Sequence, residues 1–278
     1  MPELPEVETI KRELKSNIIG KTVSAIEILS PKNFVGDKKN ALGQKITNVE
    51  RFGKVLVVTL ANGKYLNAHF KLSGQMLYAK NFHKAVFKNK IPFVGGNTMP
   101  GRTTRIIIKF KDGSALFFND LRKFGWIKLT DKPEKPKGTD VMAKEFTVNY
   151  LKKILPSRRP IKVALMDQDK ITGIGNIYAN DSLFLARIHP QRLANSLKDK
   201  EVKDLHSAIL QEIKKGIRDK GSSGADEAFI LPDGSRGGHQ RHFLVYQREG
   251  DPCLKCKTII KRVKHNGRSS FFCPNCQK

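Results

Sequence analysis

Met1-Pro2-Glu3-Leu4-Pro5-Glu6-Val7-Glu8-Thr9 opens the chain, and these nine residues prepare both a helix and a chemistry. Pro5 suits a first helical position, and Glu6 and Glu8 suit the positive end of a helix dipole. Val7, Ile10 and Leu14 then fall on one face, so the spacing predicts a helix over Pro5 to Leu14 with a core-facing stripe. Pro2 is small, so removal of Met1 is expected. That leaves a secondary amine at the terminus with the Glu3 carboxylate beside it. An α-amino group titrates near ~8 against ~10.4 for Lys, so much more of it is neutral and nucleophilic at pH 7. A secondary amine that condenses with an aldehyde gives an iminium ion with no proton to lose, which withdraws electrons from the adjacent carbon. The helix start is expected to favour the neutral amine further. Every chain must begin with some residue, so Pro2 as nucleophile needs support from elsewhere in the sequence.

At 278 residues, with 39% hydrophobic content, the chain can build two domains or three small ones. Lys and Arg number 52 against 26 Asp and Glu, a formal +26. Such an excess points to a polyanionic partner, with nucleic acid ahead of an anionic membrane surface. No stretch reads as a signal peptide and no apolar run spans a bilayer, so a cytoplasmic protein without a membrane partner is expected, with reduced thiols.

Working outward, Lys54 to Leu60 and Lys64 to Phe70 flank Ala61-Asn62-Gly63, and Arg105 to Phe110 and Ala115 to Phe118 flank Lys111-Asp112-Gly113-Ser114. Both read as β-hairpins, and Val23 to Leu29 as a further strand. Lys80 to Gly101 reads as a long loop open to motion. Asp131 to Asp140 is a Pro-containing polar linker. Beyond it the pattern turns helical, with one helix starting at Thr147 to Leu151 and another after Leu197-Lys198-Asp199. Gly221 to Gly238 is Gly-rich and reads as flexible.

Cys253-x2-Cys256, sixteen residues, then Cys273-x2-Cys276 is a four-thiolate zinc spacing, and it contains every cysteine of the chain. One structural Zn2+ is the first reading, with iron and disulfides behind it. Four thiolates fill the coordination sphere, so this metal would organise a segment too small for its own core and leave the chemistry to others. Lys255, Lys257, Lys261, Arg262, Lys264, His265 and Arg268 crowd the intervening segment, facing phosphates or merely solvent. Gly173-Ile174-Gly175-Asn176-Ile177-Tyr178 places glycines before a helix starting near Asn176, a geometry whose backbone N–H groups can hold a phosphate. No strand signal precedes it, so a dinucleotide fold is not expected, and a structural turn between packed helices is the plain alternative.

Together these pieces resemble the formamidopyrimidine-DNA glycosylase and endonuclease VIII family, and its formamidopyrimidine branch most. The resemblance is carried by PELPEVET at 2–9, Lys54 in RFGKVL, HFKLSG at 69–74, NDLRKFG at 119–125, IKVALMDQ at 161–168, GIGNIYANDSLF at 173–184, and VYQREGDPC leading into the cysteines. It spans nearly the whole chain in the family's order. It implies an α+β multidomain fold: an N-terminal β-sandwich with the terminal helix over 1–131, a linker over 132–140, a helical helix–two-turn–helix domain with a lesion-covering loop over 141–247, and a zinc-finger β-hairpin over 248–278. The family is monomeric and holds damaged double-stranded DNA in the cleft between lobes.

The resemblance also implies roles. Pro2 is the nucleophile at C1′ of the damaged nucleotide, Glu3 handles protons, and Glu6 is a nearby carboxylate. Lys54, Asn176 and Arg268 grip flanking phosphates, and Lys162 matches a lysine of lesion handling. Leu72, Arg122 and Phe124 fill the gap left by the extruded base. The implied activity is a base-excision repair glycosylase and abasic-site lyase acting by β,δ-elimination on oxidised purines. Leu72 stands where that branch usually carries Met and resembles the endonuclease VIII branch, which prefers oxidised pyrimidines. Arg122-Lys123-Phe124 resembles the purine branch. Asn180-Asp181 replaces a pair that ends in Glu in the family, so a shorter carboxylate is expected to rearrange its hydrogen bonds.

Overall fold

The computed structural model describes residues 1–224, 229–265 and 267–278. Two compact units emerge: Met1–Lys135 with Asp219–Gln240, and Pro136–Arg218 with Arg241–Lys278. Asp219–Gln240 therefore packs with the N-terminal residues, whereas the sequence reading grouped it with the helices.

The first unit is a two-sheet β-sandwich. Four strands run in the order Val23–Ile28, Thr104–Phe110, Ala115–Asp120, Gly74–Ala79; five run in the order Phe34–Val35, Trp126–Thr130, Tyr65–His69, Val55–Leu60, Ile46–Phe52. Both expected hairpins are present as antiparallel pairs. Alternate residues of the two sheets, such as Ile106, Ile108 and Phe118 against Leu56, Val58 and Leu66, share one core. The terminal helix runs Leu4–Ile18, one turn longer than expected, because Ile18 continues the Leu14 stripe. Val7, Ile10, Leu14 and Ile18 are all buried in that core.

Residues 80–101 differ from the expected open loop. They form a short 3-10 turn, Phe82–Lys84, and a hairpin pairing Val86–Ile91 with Gly96–Thr98. Phe87, Ile91, Val94 and Met99 pack on Leu77, Ile107 and Phe117, the outer face of the four-stranded sheet. Ala115–Asp120 is consequently buried on both faces. Of the Gly-rich segment, residues 225–228 lie outside the described residues. Its described part is packed rather than loose: Phe229 and Leu231 join the sandwich core, Ile230 joins the outer one, and Ser222 bridges to Gly238.

The second unit holds the helices Val148–Ile154, Ile161–Leu165, Asn176–Leu185 and Asp199–Arg218, and the hairpin Lys261–His265 with Arg268–Phe272. Thr147 caps its helix by accepting the Tyr150 N–H at 3.1 Å. Gly216 sits mid-helix because a Cβ there would lie 2.5 Å from the buried Tyr178 hydroxyl. The cysteine module does not stand alone: Phe184 and Val245 share a core with Cys253, Ile260, Phe271 and Cys273. No helix among the described residues is long and apolar enough to cross a membrane.

Candidate active site and nucleic-acid interface

Pro2 and Glu3 are buried at the head of the terminal helix, where Glu3 takes the N-cap position. Glu6, three residues on, closes a capping box: its Oε2 accepts the Glu3 N–H at 2.8 Å. Its Oε1 accepts the Ser222 N–H at 2.9 Å. Glu6 therefore links the helix start to the segment that resumes at Phe229. The Glu-x-x-Glu spacing could have revealed the first bond from sequence; nothing local pointed to the second. Gly221 passes so close to Glu6, at φ +76°, that a Cβ would lie 2.8 Å from Glu6 Cγ.

Lys54 is buried at the turn before Val55–Leu60. Arg51 ties that turn to the helix, donating to Glu8 Oε2 at 3.2 Å and to the Gly53 carbonyl at 2.8 Å. Burial pushes the Glu8 carboxyl up, but hydrogen bonds from Lys11, Arg12 and Arg51 more than offset this and hold it below the ordinary carboxylate range. His69, absent from the sequence candidates, ends a neighbouring strand. Burial, then the charges of Lys71, Lys54 and Lys128, push its pKa down to about 3. Its Nδ1 accepts the Lys71 N–H at 3.0 Å, so the neutral ring carries its proton on Nε2.

Leu72 and Phe124 are 40% and 57% exposed, so these apolar side chains project into solvent from loops rather than filling a core. Arg122 shares the loop with Phe124. Lys162, by contrast, is buried in the second unit, where its ammonium donates to the Ser269 carbonyl at 2.6 Å and to Ser270 Oγ at 2.9 Å. It thereby holds the hairpin strand that begins at Arg268. Lys162 also lines, with Arg159, Gln168 and Arg268, a cavity of about 390 Å³.

Asn176 is the first residue of its helix, after Gly175 at the N-cap. Gln168 shapes the approach: Oε1 accepts the Gly173 N–H at 3.2 Å and Nε2 donates to the Ile174 carbonyl at 2.8 Å. Asn180 Oδ1 accepts the Phe271 N–H at 2.8 Å, joining the helix to the hairpin. Asp181, the shortened carboxylate, accepts three successive N–H groups, from Leu244, Val245 and Tyr246 at 2.9–3.0 Å. Burial pushes its carboxyl up, against those three donors. The four cysteine Sγ atoms lie within 4.8 Å of one another. Tetrahedral Zn–S bonds of about 2.3 Å require S···S separations of about 3.8 Å, and the pairs Cys253–Cys276 and Cys256–Cys273 lie at 4.0 and 3.4 Å. The donor set fits one structural Zn2+.

The structure thus gathers Pro2, Glu3, Glu6, Lys54, Leu72, Arg122 and Phe124 in the first unit, and Lys162, Asn176, Arg268 and the cysteines in the second.

Three family models match in order: the formamidopyrimidine-DNA glycosylase N-terminal domain over residues 1–127, the H2TH domain of the same enzymes over 138–227, and the zinc finger found in FPG and IleRS over 250–278. The formamidopyrimidine-DNA glycosylase of Pelotomaculum thermopropionicum is 37% identical over 291 aligned residues, covering 100% of this chain and 99% of that protein. The crystal structure of MutM (FPG) from Thermus thermophilus superposes with a TM-score of 0.86 at 31% identity, over 99% of this chain and 98% of that one. A Lactococcus lactis FPG mutant in complex with DNA containing Fapy-dG superposes at 0.85 and 29% identity, over 100% of both chains.

Proposed function

Because the chain belongs to the formamidopyrimidine-DNA glycosylase family, we propose that it is a bifunctional base-excision repair enzyme that removes oxidised purines from duplex DNA and then cleaves the strand. The observation that carries this reading is the head of the terminal helix, where Pro2 is buried and the Glu6 carboxylate accepts the N–H of buried Glu3 next to it.

A base within a duplex is out of reach of any side chain, so it must be extruded at a cost of a few kcal/mol. Leu72 and Phe124 offset that cost by entering the vacated stack, and Arg122 hydrogen-bonds the orphaned partner base. Lys54, Asn176 and Arg268 hold phosphates beside the lesion. With Met1 removed, the Pro2 nitrogen attacks C1′ and the glycosidic bond breaks, its electron pair leaving with the base, which takes up the proton that the Pro2 nitrogen loses. Glu3 delivers a proton to the sugar ring oxygen as the ring opens. The resulting iminium acidifies the C2′ hydrogens. Loss of one expels the 3′ phosphate by β-elimination, a second elimination expels the 5′ phosphate, and water releases the sugar fragment from Pro2. The zinc site fixes the hairpin and takes no part in these steps. Leu72 favours oxidised pyrimidines as a second substrate class.

Borohydride trapping tests the proposal. Duplex DNA with 8-oxoguanine opposite cytosine should give a covalent adduct that maps to Pro2 and disappears in Pro2→Gly. Equal trapping by Pro2→Gly removes the nucleophile assignment, and trapping on oxidised pyrimidines alone reverses the substrate order.

A further inference from the structure

Leu72 and the Arg122–Phe124 pair come from two different loops, yet to fill one gap they must keep a fixed spacing. A buried carboxylate between the loops keeps it. Asp120, 1% exposed, ends the strand Ala115–Asp120, immediately before the Leu121–Gly125 loop. Its Oδ1 accepts from the Ser73 hydroxyl, one residue after Leu72, and from the Arg122 N–H at 3.1 Å. Its Oδ2 accepts the Gly125 N–H at 2.7 Å. Ser73 Oγ also accepts the Arg122 N–H, at 3.0 Å, so serine, arginine backbone and carboxylate form a closed triangle.

The loops have few alternatives to this arrangement. Lys123 sits at φ +56° and Lys71 at φ +48°, left-handed conformations that need support when the residue is not glycine. Gly125 is enclosed: a Cβ there would lie 2.8 Å from the Phe118 ring and 3.1 Å from Asp120 Oδ2. Gly74 is equally tight, with a Cβ falling 2.5 Å from the Phe70 carbonyl. A single buried carboxylate therefore accepts from both ends of one loop and from the other loop, while the side chains of Leu72 and Phe124 stay outside.

We infer that Asp120 is a positioning residue for base extrusion, fastening the Leu72 loop to the Arg122–Phe124 loop so that the three side chains enter the duplex as one rigid wedge. The inference rests on the proposed function, because it needs those residues to fill the gap. It predicts a defect confined to the step that opens a stacked, paired duplex. A single-stranded abasic oligonucleotide needs no opening, so its chemistry at Pro2 should be spared.

Two variants test this. In Asp120→Asn, the amide NH2 must face either the Gly125 N–H or the Arg122 N–H, whichever way it turns. Ser73→Ala cuts only the link to the Leu72 loop and preserves the carboxylate. Single-turnover borohydride trapping is measured on an 8-oxoguanine:cytosine duplex and on a single-stranded abasic oligonucleotide, with thermal melting to verify folding. A displacement of about 1 Å can cost about 100-fold in rate. Asp120→Asn should lose about that factor on the duplex, Ser73→Ala about tenfold, and both should stay within about twofold of wild type on the abasic strand. Equal losses on both substrates, or no loss on the duplex in either variant, overturn the inference. Wild-type protein that traps neither substrate overturns the proposed function, and the inference falls with it.

Discussion

Glu6 accepts the main-chain N–H of Ser222 at 2.9 Å across 216 positions of sequence, with the carboxylate that also accepts from Glu3. One buried side chain thereby ties the helix start beside Pro2 to the Gly-rich segment at Ser222. Glu6→Gln keeps a single acceptor oxygen, so one of two buried N–H groups faces an NH2 instead, at a cost of about 1–3 kcal/mol. Calorimetry should show a melting temperature lower by several degrees, and trapping on 8-oxoguanine duplex should slow. Gly221→Ala, which pushes a Cβ toward Glu6, should reproduce both effects.

Glu13, on the same helix, should make stability depend on pH. Burial and then the Asp233 charge push its pKa up to about 7, while the Asp233 N–H and Lys220 pull it down. A carboxyl with a raised folded pKa binds its proton more tightly in the native state. Its contribution is therefore fully present below about 4.5 and is lost as pH rises through about 7. Glu13→Gln should match wild type at about pH 4 and exceed it at about pH 8 by about 1 kcal/mol, after discounting for solvent screening. Denaturant titrations at the two pH values measure this, and an equal effect at both would refute it.

Lys162 should act through the hairpin. Lys162→Met leaves the Ser269 carbonyl and Ser270 hydroxyl without their donor, costing about 2 kcal/mol. DNA affinity should fall, and Ser270→Ala should show part of the same loss. Single-turnover rates at saturating DNA should stay near wild type. A slower rate at saturation with unchanged affinity would instead put Lys162 against the damaged base.

Removing zinc should separate binding from chemistry. Chelation or Cys276→Ser should release one metal per chain and weaken DNA binding by at least about tenfold, or about 1.4 kcal/mol, as read by fluorescence anisotropy. Trapping at high DNA concentration should persist, since four thiolates leave the metal no open position. Loss of trapping at saturating DNA, with both units still folded, would contradict a purely structural metal.

Features set by neighbours along the chain are legible in the residues themselves. The Ala61-Asn62-Gly63 hairpin, the cap at Thr147, the helix start at Asn176 and the cysteine pairs each depend on a few adjacent residues. Pro2 and Glu3 are legible as candidate chemistry for the same reason. The hairpin within residues 80–101 is not, because Phe87, Ile91 and Val94 are spaced i, i+4, i+7, a helical pattern, although the chain there forms a hairpin whose apolar residues gain meaning only against the sheet face they cover.

The amino-acid sequence by itself determined which residue types are available: a terminal Pro-Glu pair, four thiolates at zinc spacing, a large excess of basic residues and a Gly-Asn helix start. Tertiary structure alone decided how they are held. Ser222 on Glu6, Ser73 on Asp120, and Ser269 and Ser270 on Lys162 are bonds between residues 47 to 216 positions apart. Such partners meet only after the sheets and helices have packed. No short-range periodicity records them, because a buried carboxylate or ammonium needs a partner without specifying where in the chain that partner lies.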